Sequence, residues 1–147
     1  MANIKTRADF YKDTEYFCQY NNNPSYIAGK RNRKPADCVI RAFAMAADIE
    51  WLTAFDLLVE NARKIYSTPN SQDNYEEVFK ANGFERKSVK VEKGKKRMTL
   101  EGFCKTHKKG RYIVSVANHL TAVVDGVCYD QWNPANKCVY VYYELLK

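Results

Sequence analysis

No run in this 147-residue chain approaches the roughly 20 apolar residues of a membrane-spanning helix. The first ten residues, Met1 to Phe10, hold no apolar stretch of the signal-peptide kind. A soluble, intracellular, cytoplasmic protein is therefore expected. Histidine is scarce, with only His107 and His119, and the five cysteines (Cys18, Cys38, Cys104, Cys128, Cys138) form an odd set without a C-x-x-C pair. A disulfide framework or a zinc knuckle needs pairs at short, repeated spacing. Reduced thiols and no metal are the expectation. Internal repeats, low-complexity tracts and nucleic-acid signatures, such as a recognition helix or an aromatic RNA-binding motif, are also missing.

What is present describes a folded chain. An apolar fraction of 46% and an aromatic fraction of 14% exclude a disordered protein. The length suits one domain over residues 1–147 with a real core, its first thirty residues being of uncertain structure. The formal charge of +7 is concentrated at Lys30–Lys34, Lys93–Arg97 and Lys105–Arg111. Each cluster lies in a turn-like stretch. Solvated lysines account for them, and so does binding of nucleic acid or an acidic partner through basic loops.

Asp37 is a good N-cap for an almost wholly apolar helix from Cys38 to Ala47, which predicts a central position. Asp48 is expected to cap a second helix over 49–66, with its stripe at Trp51, Phe55, Leu58, Ala62 and Ile65. Shorter helices are expected at 72–82, stopped by Gly83, and at 100–107, capped by Thr99. A short strand is expected near 85–91. From Arg111 onward the pattern turns to strands, at 112–116, 120–124, 127–131 and 138–144. Asp125-Gly126 is a strong hairpin turn. Helices followed by an antiparallel meander define an α+β arrangement.

Two separated segments carry the chemistry. Cys38 opens a helix, where backbone amides and the helix dipole favour a thiolate; a buried structural cysteine is the alternative. The 125–126 turn pairs Val124 with Val127 and Thr121 with Asp130, so alternation puts His119, Thr121 and Asp130 on one face of the hairpin. His119 and Asp130 become diagonal neighbours within reach of a hydrogen bond. His107 is expected on a solvated lysine-rich face and Cys104 in the core, while Cys128 is expected to alternate away from the His119 face. Tyr129 and Trp132 are candidates for packing or for lining a cleft.

A cysteine opening an apolar helix, with a histidine on one strand and an acid on the next far downstream, resembles the papain-like cysteine peptidase superfamily, especially its compact leader-peptide and bacteriocin-processing members. Asp37-Cys38-Val39-Ile40-Arg41-Ala42, Gly110-Arg111-Tyr112 and His119–Gly126 are similar to small uncharacterised proteins of phages and bacteria. The resemblance runs from about Asn32 to the C-terminus. It implies a papain-like core, with the cysteine-bearing helix packed on a C-terminal antiparallel sheet. It implies a cysteine peptidase or thiol hydrolase acting on a peptide or protein without a cofactor, in the host cytoplasm if phage-encoded. Cys38 would be the nucleophile, His119 the base and Asp130 its orienter. Asn32, where the superfamily often has glutamine, would help bind the oxyanion, with Gln19 as a substitute. Asn133 is an alternative to Asp130. A non-catalytic domain of the same fold, binding nucleic acid or an acidic protein, stays open as the other reading.

Overall fold

A computed structural model describes residues 4–27 and 35–146. Its helices are α1 (Pro24–Ile27), α2 (Cys38–Ala47), α3 (Trp51–Ile65), α4 (Gln72–Ala81) and α5 (Leu100–Thr106), with a 3-10 turn at Arg7–Tyr11. The strands are β1 (Phe17–Gln19), β2 (Phe84–Ser88), β3 (Arg111–Val116), β4 (His119–Val124), β5 (Val127–Asp130) and β6 (Val139–Leu145). They form one sheet in the order β1-β5-β4-β3-β6-β2. The α+β class holds. The sheet is mixed, however, not an antiparallel meander: β1 runs parallel to β5, and β6 lies between β3 and β2.

Strand alternation divides the core into two clusters. Ile113, Leu120, Ala122 and Tyr143 pack with α2, α3 and α4, around Phe43, Leu58 and Phe79. Tyr112, Val114, Val116 and Val123 pack with α5, around Leu100 and Phe103. The helices thus lie on both faces of the sheet. Helix α2 packs against both β4 and α3, with buried residues on nearly every side, so the apolar helix is central as its sequence predicts.

The helix ends depart from expectation in two places. Asp48 does not start α3; it closes α2 in the left-handed conformation at φ 57°, which aspartate tolerates, and Glu50 takes the N-cap of α3. Asp37 precedes α2 as expected, but its side chain makes no capping bond because it is turned into the protein. Thr99 does cap α5, accepting from the Gly102 amide at 3.2 Å.

The β4–β5 turn has φ 49° at Asp125 and 81° at Gly126, the double positive φ of a type I′ turn. A Cβ at Gly126 would stand 3.2 Å from both the Cys104 carbonyl oxygen and the Lys108 Cα. Gly126→Ala is accordingly expected to cost about 1–3 kcal/mol, read as a lower urea midpoint with an unchanged slope.

Candidate active site

The turn fixes the β4–β5 register as Val124–Val127, Val123–Cys128 and Ala122–Tyr129. Continued outward, that register brings Asp130 diagonally across from His119. The His119 Nε2 lies 2.6 Å from Asp130 Oδ2, with both side chains buried. Nε2 being committed, Nδ1 is the ring nitrogen left to face Cys38, which lines the same cleft as His119 and whose thiol feels the imidazole and the Leu120 backbone. The three residues expected to work together are therefore brought to one place, His119 bonded to Asp130 and acting electrostatically on the Cys38 thiol.

Electrostatics favour charge separation along it. Burial opposes the Cys38 thiolate, but the hydrogen bonds from His119 and Leu120 and the positive charges of His119 and Arg41 outweigh it, so the thiol is more acidic than usual. Burial likewise opposes the imidazolium. The bonds to Asp130 and Cys38 prevail, raising His119 from its ordinary 6.5 to about 9. Asp130 is held below the usual carboxylate range despite burial, chiefly by its bond with His119. A thiolate–imidazolium pair is the form these shifts support.

Cys38 is the first residue of α2, so its own N–H lies among the amides that have no partner within the helix. A cleft of about 360 Å³ opens over the pair, lined by Cys38 and His119 together with Val39, Asn70, Tyr75 and Asn118. Trp132 leans on the far side of the histidine, its ring centroid 4.8 Å from the imidazole, which restrains the ring. Its role is packing against the site.

Arg41 is the residue that sequence reasoning passed over. One turn beyond Cys38, it donates from Nε to Asp37 Oδ1 at 2.8 Å and from Nη1 to Asp130 Oδ1 at 3.0 Å. Asp37 also accepts from Trp51 Nε1 and from Asn23 Nδ2, each at 3.0 Å. A lone arginine in an otherwise apolar helix is a legible signal, since a buried charge requires a partner.

The other candidates fall elsewhere. Asn32 lies outside the described residues. Gln19 sits on β1, its amide donating to the Gln131 carbonyl at 3.3 Å, and it lines a different pocket from Cys38. Asn133 is buried with its Oδ1 accepting from the Ala135 amide at 3.0 Å, a local turn that leaves it no part in orienting His119.

Cys128 corrects the alternation argument. Opposite Val123, it shares the Thr121 side, and its Sγ lies 3.2 Å from Thr121 Oγ1. It is fully buried, and that burial pushes its thiol well up. Cys104 is in the core as expected, its thiol raised to about 12 by burial. His107 is not on a solvated face: its ring stacks on Phe103 with centroids 3.9 Å apart, and Nδ1 lies 3.0 Å from the Phe103 carbonyl oxygen.

Of the basic clusters, Lys30–Lys34 lies outside the described residues. In the others the arginines are engaged within the fold. Arg97 donates to the Val89 carbonyl and lies over the Tyr140 ring, and Arg111 donates to the Met45 and Ala46 carbonyls that end α2. Among the described residues no helix is long and apolar enough to cross a membrane.

A comparison of the chain with protein-family models, with curated proteins and with solved structures returned no match.

Proposed function

We propose that this protein is a thiol hydrolase of papain-like design, a cysteine peptidase or isopeptidase acting through an acyl-enzyme on Cys38. The observation that carries the reading is Cys38 and His119 lining one open cleft, with His119 bonded from behind to the buried Asp130. The Cys38 thiolate attacks the carbonyl carbon of an amide, forming the S–C bond, while the oxyanion takes the Cys38 N–H and a side-chain donor for which Asn32 is the candidate. The His119 imidazolium protonates the departing amine as the C–N bond breaks, which leaves a thioester. Neutral His119 then takes a proton from water, the hydroxide adds to the thioester, and the thiol leaves as thiolate with the carboxylic acid product. Asp130 holds the ring in the required tautomer throughout. The peptide substrate and the cytoplasmic setting belong to the same proposal.

Limiting iodoacetamide at pH 7, followed by peptide mass mapping, is expected to modify Cys38 ahead of the other four cysteines. Cys38→Ser is expected to abolish cleavage of a fluorogenic peptide library. Uniform labelling of the exposed thiols would sink the proposal. Retention on nucleic acid with a steep salt dependence, unchanged in Cys38→Ser, would favour the binding reading instead.

A further inference from the structure

We propose that Arg41 is a positioning residue for this site: its guanidinium, shared between Asp37 and Asp130, fixes the carboxylate that orients His119 and ties it to the helix that carries Cys38. The inference rests on the thiol-hydrolase reading.

The geometry is specific. Arg41 is 7% exposed and Asp130 is 2% exposed, so neither charge is satisfied by solvent. Asp130 divides its oxygens, Oδ1 to Arg41 at 3.0 Å and Oδ2 to His119 at 2.6 Å. The first bond therefore sets the angle at which the second oxygen is offered. The fork's other arm is held by Asp37, which Trp51 of α3 and Asn23 of the N-terminal segment hold in turn. Cys38 and Arg41 stand three positions apart on one helix, so the nucleophile and the anchor of the acid move as a single body. A lysine could supply the charge but not the planar fork between two carboxylates.

The charged groups facing Arg41 are Asp37 just before its own helix, Cys38 within it, Asp130 from β5 and His119 from β4. Around them α3 presents the neutral Trp51 indole, and the N-terminal segment presents the Asn22 and Asn23 amides. This arrangement gives two informative substitutions. Arg41→Gln removes both a cation that favours the thiolate and the fork that holds Asp130, whereas Arg41→Lys keeps the charge and loses the fork.

The test is the pH dependence of Cys38 alkylation by iodoacetamide in both variants, with folding checked by circular dichroism. Arg41→Gln is expected to move the rising limb up by about one pH unit. Arg41→Lys, which keeps the charge, is expected to leave the limb in place while single-turnover acylation slows by about 10- to 100-fold, because the acid is no longer held at a fixed angle. Loosening of the fold would raise the limb in both variants, so a native limb with slowed acylation in Arg41→Lys is the signature of positioning, and it decides the matter even where Arg41→Gln does not fold. A native limb in folded Arg41→Gln, or in Arg41→Lys either a native acylation rate or a raised limb, overturns the role of Arg41 alone. A native limb in His119→Ala removes the thiol–imidazole pair beneath it, and both readings fall together.

Discussion

His119→Ala is expected to slow acylation of Cys38 by about 10²- to 10⁴-fold, the range for loss of a positioned acid–base group. The cause is double: the variant loses the proton donor for the leaving amine and the cation that makes Cys38 acidic. Single-turnover acylation followed across pH separates the two. In the native protein the active ion pair exists between the lowered value of Cys38 and the raised value of His119, near 9. Activity should rise as the pair forms and fall as pH passes about 9, where His119 loses its proton. The falling limb should vanish in His119→Ala, whose residual rate tracks thiolate alone. A native rate in His119→Ala would remove it from the mechanism.

The same raised value affects stability. A group whose affinity for a proton increases on folding stabilises the native state while it is protonated. The contribution of His119 is thus complete below its ordinary 6.5 and is lost as pH rises through about 9. Urea unfolding of the native protein should weaken across that window more than that of His119→Ala.

The second large effect is structural. Phe79 is fully buried where α4 meets α2, β2 and β6. Its ring centroid lies 5.2 Å from Phe43, 5.2 Å from Tyr75, 5.1 Å from Tyr143 and 6.0 Å from Phe84. Phe79→Ala removes the shared member of that aromatic group and is expected to cost about 3–5 kcal/mol, seen as a lower urea midpoint at constant slope. Tyr75 also lines the cleft over Cys38, so its loss of support should weaken peptide binding in the variant that remains folded. A change under 1 kcal/mol would mean that the neighbouring rings close the cavity.

The parts of this molecule that sequence makes legible are those encoded locally. The Asp125-Gly126 turn needs two positive φ angles, and from it strand alternation places His119 beside Asp130 without any knowledge of the rest. The run from Val39 to Ala47 predicts a central helix because nearly every side of it is apolar. What is not legible depends on distant partners. Strand β1 has three residues, Phe17 to Gln19, and its parallel pairing with β5 leaves no periodic trace. Asp37 reads as an N-cap because aspartate usually serves there, yet Arg41 offers its carboxylate a stronger, charged partner. Asp48 reads as the start of a helix and instead ends one, since the same short side chain suits both positions. Cys128 is a plainer case: the register that brings Asp130 to His119 also puts Cys128 opposite Val123.

The parallel pairing of β1 with β5 bears on when the thiol becomes reactive. Tyr20, just after β1, donates its amide to the Asp130 carbonyl at 2.8 Å, so the strand bearing the acid is braced from near the start of the chain. Arg41 and Asp130 are 89 residues apart. At about 5–20 residues per second, a ribosome that has made Cys38 needs roughly 5–18 s more to supply the acid. For most of that interval Cys38 lacks the His119 imidazole that makes it acidic. The chain order therefore delays the meeting of Cys38 with its imidazole and acid until most of the fold has been made.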